Sequence, residues 1–183
     1  MSPPGDSPDN DRLGSDSLDG DLADSDRSSS GRLRRHVLGD RRPRRLLLLS
    51  VGVLLAVASV AFLAGASVGL YAFFGWLVIA PAIAVAAGFF GAGLASTVGS
   101  LGLIAVWGYT FPPLVGLLTG EWTGGSRYTY PRMLGFAHGS ARAELMGGLE
   151  SVVEFGLPLA VALGAVGYAV GIAVRLVARR AAA

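Results

Sequence analysis

The chain has 183 residues, 52% hydrophobic and only 15% charged, with 27 glycines, a mean hydropathy of +0.54 and a formal net charge of +2. That profile belongs to a chain that lives in lipid rather than to a water-soluble globular domain. Cysteine is absent, which excludes disulfides, thiolate metal sites and cysteine nucleophiles, and all 15 basic residues are Arg.

Residues 1 to about 30 carry Asp6, Asp9, Asp11, Asp16, Asp19, Asp21, Asp24 and Asp26 against Arg12 and Arg27, among Ser, Gly and Pro. Too few apolar groups are present to offset the entropy of ordering, so a disordered acidic tail is expected. The charge then inverts, with Arg32, Arg34, Arg35, Arg41, Arg42, Arg44 and Arg45 facing only Asp40 before the first apolar run. A basic flank of this kind holds the N-terminus in the cytoplasm. Arg41, Arg42, Arg44 and Arg45 are also candidates for binding anionic lipid headgroups, each contributing about 1 kcal/mol near the surface at ordinary ionic strength.

From Leu46 to Gly120 the chain contains no Asp, Glu, Lys, Arg or His. A helix of about 20 apolar residues crosses a bilayer core, so residues 46–111 are expected to hold three crossings joined by short turns. The first runs from about Leu46 to Val68. An alternative for its flanks is an export signal, with Arg44 and Arg45 as a twin arginine and Ala64, Gly65 and Ala66 as a cleavage site, although the long leader and the spans that follow favour an uncleaved anchor. The second begins with Tyr71, Phe73, Phe74 and Trp76 and ends near Phe90, with Gly88, Gly91 and Gly93 expected in the turn. The third runs from about Leu94 to Phe111 and is expected to stop at Pro112 and Pro113, which cannot continue the hydrogen-bond ladder.

Residues 112–152 form the expected extracytoplasmic loop, with Arg127, Arg132 and Arg142 balancing Glu121, Glu144 and Glu150. Within it, Ser140 to Val153 reads as a short interfacial helix, Ser140 capping its first turn and Ala141, Leu145, Leu149 and Val152 sharing one face. Gly147 and Gly148 suggest a break, and Pro158 either a kink or the first turn of a separate helix. The fourth span covers residues 153–175, and residues 176–183 form a second cytoplasmic end. Arg175, Arg179 and Arg180 join the N-terminal cluster on the cytoplasmic side, against Arg127, Arg132 and Arg142 outside. The aromatic residues Tyr71, Trp76, Trp107, Tyr109, Trp122, Tyr128 and Tyr130 all fall toward the opposite, outer interface. The expected fold class is therefore an all-α polytopic transmembrane bundle of four spans in the cell membrane, with both termini cytoplasmic.

Chemistry is sparse. The chain has no Walker loop, His-Glu-x-x-His or Gly-x-Ser-x-Gly motif, and no ionisable carboxylate or imidazole lies in the first three spans, so an enzyme is not expected. His138 and His36 fall on opposite sides of the membrane and share no metal; no catalytic residue, metal or cofactor is assigned. Glu150 and Glu154, one helical turn apart at the mouth of the last span, are the candidate binding residues, because acidic groups at membrane depth mark ion or proton paths. A Glu at a helix start also serves the helix dipole. Gly65 with Gly69, and Gly164, Gly167 and Gly171, have the spacing that lets helices approach closely, within the bundle or between copies. Pro81 in mid-span suggests a discontinuous helix. The expected partners are the lipid bilayer and either a second copy or another membrane protein, with no nucleic acid. The role read from this is structural or accessory, with a small transporter or channel subunit working through the mouth near Glu154 as the alternative.

Overall fold

The computed structural model describes residues 37–66, 70–122, 127–131 and 138–182, without the side chains of 70–74. The acidic tail, His36, Gly69 and Arg132 lie outside the described residues. Within them the fold is entirely helical: α1 (Arg41–Leu63), α2 (Leu70–Phe90), α3 (Leu94–Thr119), α4 (Ala141–Ser151), a five-residue π-helical segment (Val152–Gly156) and α5 (Leu157–Ala181). By length and composition α1, α3 and the continuous rod Ala141–Ala181 can each cross a membrane, and α2 adds a shorter apolar stretch, Gly75–Phe90. Three to four apolar helices suited to a bilayer thus form one bundle.

The chain reverses between helices where residue type demands it. Gly91 and Gly93 adopt φ of 75° and 93° and make the tight turn between α2 and α3, conformations open to glycine and costly for other residues. Gly88, expected in that turn, is instead inside α2. The start of α1 docks on this turn, where the Asp40 N–H donates to the Gly91 carbonyl at 3.2 Å. A Cβ added at Gly91 would sit 3.1 Å from Nη1 of Arg175 near the end of α5. The N-terminal end of α1 and the C-terminal end of α5 therefore share one end of the bundle, the arginine end. The aromatic residues gather at the other: Trp76 and Trp107 with centroids 5.8 Å apart, Trp107 stacked on Phe111 at 5.3 Å, and Phe62 edge-on to Phe111 at 5.7 Å and to Tyr128 at 6.1 Å. The Trp107 indole N–H also ties α3 to α1 by donating to Ser59 Oγ at 2.8 Å.

Helices surrounded by lipid gain nothing from hiding apolar surface from lipid, so small residues that permit close approach decide which faces meet. α5 meets α2 through Gly167, where a Cβ would lie 2.4 Å from the Ala84 Cβ, and through Gly171, where it would lie 2.1 Å from the Val85 carbonyl oxygen. Gly88 replies from α2, its missing Cβ leaving room for the Tyr168 carbonyl at 2.2 Å. Gly164 faces α3, with Val98 Cγ2 at 2.9 Å from its added Cβ. The expected spacing of Gly164, Gly167 and Gly171 is thus used within the bundle. Gly65 instead follows the end of α1 with φ 109° and makes no helix contact of that kind.

One expectation about proline is revised, and the alternatives at Pro158 are decided. α3 does not stop at Phe111 but runs through Pro112 and Pro113 to Thr119, and both rings are fully buried. The helix survives because Pro has the right φ and only the N–H partners of the Gly108 and Tyr109 carbonyls are lost. The Tyr109 carbonyl is pressed against Gly148 of α4, where a Cβ would lie only 2.3 Å from the oxygen, a close approach of the Cα–H···O kind. The loop read as 112–152 accordingly begins at Gly120, whose φ of 70° ends α3. Of the two readings of Pro158, the one in which the short helix runs into the last span holds: the span read as 153–175 is a continuation of α4. The π segment, in which the Leu157 N–H donates five residues back to the Val152 carbonyl, absorbs one extra residue just before Pro158 and carries the rod past the ring without a break.

The close contacts give a direct expectation. Gly171→Ala puts a methyl into the Val85 main chain and should lower stability by about 1–3 kcal/mol. Gly99→Ala, at a position with nothing within 4 Å, should be neutral or raise stability by up to about 1 kcal/mol through helix propensity. Thermal unfolding in detergent separates the two; equal effects would remove the glycine contact from its organising role.

Candidate functional site

The principal ionisable constellation among the described residues lies in the cap, the chain between α3 and α5. Ser140 has extended backbone and caps α4, its Oγ accepting the Ala143 N–H at 3.2 Å. One turn in, Glu144 is completely buried. A carboxylate removed from water without partners would cost several kcal/mol, so its surroundings have to supply donors. They do so from the preceding loop: the Tyr130 N–H donates to Oε1 at 3.1 Å, and the His138 N–H donates to Oε2 at 3.0 Å. His138 Nδ1 stands 3.3 Å from the same Oε2. Glu144 is thus the anchor that folds residues 130 and 138 back onto α4.

Gly147 and Gly148, expected to break this helix, are the surface on which the loop and α3 rest. A Cβ at Gly147 would lie 2.7 Å from His138 Cε1 and 3.2 Å from Tyr130 Cε1, and Gly148 receives the Tyr109 carbonyl. The rings of Tyr109, Tyr130 and His138 follow one another with centroids 6.1 Å apart at each step. The buried face of α4 is therefore Glu144, Gly147 and Gly148, joined by the expected Val152 of the π segment, whereas Ala141 and Leu145 are only partly buried and Leu149 is exposed. It packs on α3. Apolar spacing alone pointed to the wrong face, because two glycines and a tethered carboxylate outrank leucine when main chain has to be approached.

A second knot fastens the other end of the loop. The Arg127 guanidinium lies 5.4 Å from the Phe62 ring centroid and 4.9 Å from that of Tyr128, and its Nη2 donates to the Tyr128 hydroxyl at 3.0 Å. The same hydroxyl donates to Glu121 Oε2 at 2.6 Å. Arg127 so links the end of α1 to the end of α3 by cation–π and hydrogen-bond contacts.

The residues singled out from sequence are placed as follows. Glu150 and Glu154 are both exposed on the flank of the α4–π–α5 rod, Glu154 within the π segment between Val153 and Phe155, each 65% exposed. Gly156, two residues on, meets the Tyr109 ring at 3.7 Å from its added Cβ, which sets Glu154 near the aromatic level. Arg41, Arg42, Arg44 and Arg45 are exposed along the first turn of α1, at the end shared with Arg175. The structure does not bring the Glu pair and the Arg cluster together. His138 serves Glu144, and among the described residues no group of three possible metal ligands converges. The residue that sequence reasoning missed is Glu144. Its signal was the acid in the first turn after a Ser cap, three residues before a Gly pair.

Glu144→Ala should lower stability by about 2–4 kcal/mol by leaving buried donors without an acceptor, and should open the segment between residues 120 and 140 to trypsin. Glu144→Gln keeps one carbonyl acceptor and should fall between, while Arg142→Ala on the exposed side should change neither readout. Unfolding and limited proteolysis in detergent measure both, and a tolerant Glu144→Ala would deny the carboxylate its anchoring role.

Compared with known protein families, with curated proteins and with solved structures, the chain matches none of them.

Proposed function

We propose that this chain is an accessory protein of the cell membrane, with both termini cytoplasmic, a role in holding or positioning a membrane partner and no catalysis of its own. The observation that carries this reading is the division of labour among its acids. The buried carboxylate, Glu144, is spent on the fold of the cap, while Glu150 and Glu154 are turned outward on an apolar helix flank. A carrier or pore needs its carboxylates facing an interior path. Outward carboxylates near the aromatic level, beside exposed Met146, Leu149, Val153 and Phe155, instead suit a surface that receives another membrane segment with a cationic group at the same depth.

The distribution of arginine supports the proposed orientation. Arg41, Arg42, Arg44, Arg45 and Arg175 share the end opposite the cap, as expected if that end faces the cytoplasm and its anionic lipid. A cap fastened at two places also supports a binding role, because a surface that is rigid before its partner arrives loses less entropy on binding.

Reconstitution tests the reading. Purified protein in liposomes should pass no ions or protons above the level of empty liposomes, and Glu154→Gln should leave that baseline and the unfolding temperature unchanged. A flux that Glu154→Gln abolishes in a folded protein would replace the accessory role by transport through the outer mouth.

A further inference from the structure

At the arginine end the start of α1, the α2–α3 turn and α5 come together at one residue. Gly39 and Gly93, both at positive φ, let the chain entering α1 lie flat on the turn: a Cβ at Gly39 would stand 2.2 Å from the Ala92 main-chain carbon, and one at Gly93 2.5 Å from the Gly39 nitrogen. The Asp40 N–H then holds the Gly91 carbonyl at 3.2 Å, while Nη1 of Arg175 comes within 3.1 Å of the place of a Gly91 Cβ. The first turn of α1 and the Arg175 guanidinium thus adjoin the same glycine.

The charges gathered there are unanswered. Among the described residues none of Arg41, Arg42, Arg44, Arg45 and Arg175 is within ion-pair distance of a carboxylate, and Asp40, the only acid at this end, makes no capping bond with its side chain. Like charges held near one another repel, so this end attracts an anion. The surroundings say which kind. Leu46 and Leu49 after Arg45, Phe90 before Gly91, and Val174 and Leu176 beside Arg175 are all exposed. A soluble acidic peptide would answer the arginines and leave these side chains bare. An anionic lipid answers both, its headgroup at the arginines and its chains along the apolar helices.

We propose that the arginine end binds a phospholipid whose headgroup carries two phosphates, one held by Arg175 and the other by the arginines that open α1. A single phosphate is met by one guanidinium in a two-pronged contact. Here α1 and α5 bring arginine-bearing turns to one glycine, and a second phosphate uses the second of them. The pinned turn keeps both in place before the lipid arrives, which lowers the entropy lost on binding. Sequence pointed to the arginines of α1 alone; Arg175 joins them through the fold. The assignment rests on insertion of the bundle in a bilayer and is independent of the accessory role and of Glu154.

The test titrates full-length protein in detergent with phosphatidylglycerophosphate and, separately, with phosphatidylglycerol of the same chains, which lacks the second phosphate, and reads bound lipid by native mass spectrometry. The two-phosphate lipid should bind about fivefold more tightly, the change that one further arginine contact at a membrane surface supplies. Arg175→Gln should bring that ratio to one with the unfolding temperature unchanged. Arg180→Gln removes the same charge further along α5 and should leave the ratio as it is. Inorganic pyrophosphate, two phosphates without chains, should not displace the lipid at equal concentration. Equal binding of the two lipids by the wild-type protein overturns the proposal without any variant. So does a ratio that Arg175→Gln leaves intact, or that Arg180→Gln lowers as much, the mark of net charge alone, and so does displacement by pyrophosphate.

Discussion

The arrangement depends on close approach at glycine. In lipid, apolar side chains have no reason to prefer a neighbouring helix over an acyl chain, and contact energy comes from bringing backbones near enough for dense packing. Gly88, Gly167 and Gly171 place the carbonyls of Tyr168 and Val85 where a methyl group would otherwise stand, which fixes the register of α5 on α2. Gly156 and Gly164 do the same against α3, with Ala105 Cβ and Val98 Cγ2 as the opposing atoms. The same device continues above the bundle, where Gly147 and Gly148 receive the His138 ring and the Tyr109 carbonyl. One rod from Ala141 to Ala181 is therefore the axis on which two long helices and the loop are all positioned.

Several polar groups in this apolar setting are handled locally. Ser50, Ser96, Thr97 and Thr110 return their hydroxyls to carbonyls of the preceding turn, so they ask nothing of the lipid. Glu144 finds its donors in the loop that it anchors. The prolines have the opposite effect, because each removes an N–H and leaves a carbonyl to be met by something outside the ladder. For Tyr109 that is the Gly148 Cα. The π segment next to Pro158 is a third solution, in which the helix changes its own register.

Much of this was legible from residue types. The apolar runs marked the helices, Ser140 marked the start of α4, the spacing of Gly164, Gly167 and Gly171 marked the close face, and the rings of Trp76, Trp107, Tyr109, Tyr128 and Tyr130 marked one end. Pro112 and Pro113 misled, because the rule that proline ends a helix is strongest in water, and here two buried rings sit in an apolar setting that neighbouring helices complete. The face of α4 misled for a related reason: hydrophobic spacing reports which residues avoid water, and it carries little information about direction where a helix packs through glycines and a tethered carboxylate. Glu144 was hidden among balanced charges, since only the fold brings the Tyr130 and His138 main chain to it. Glu154 drew attention by its depth, and its outward direction depends on the register change in the π segment, which no residue pattern announces.

We propose that the bundle crosses the membrane four times, with the arginine end in the cytoplasm and the Glu144-anchored cap outside. Because the chain has no cysteine, single cysteines are clean reporters of side. Gly139→Cys lies in the cap, where an added Cβ meets nothing within 4 Å; Ala182→Cys follows α5, and Ser15→Cys lies in the acidic tail. In intact cells a membrane-impermeant maleimide should label residue 139 and reach residues 15 and 182 only after permeabilisation. Labelling of residue 15 or residue 182 in intact cells, or protection of residue 139, would contradict the four-crossing arrangement and the orientation built on it.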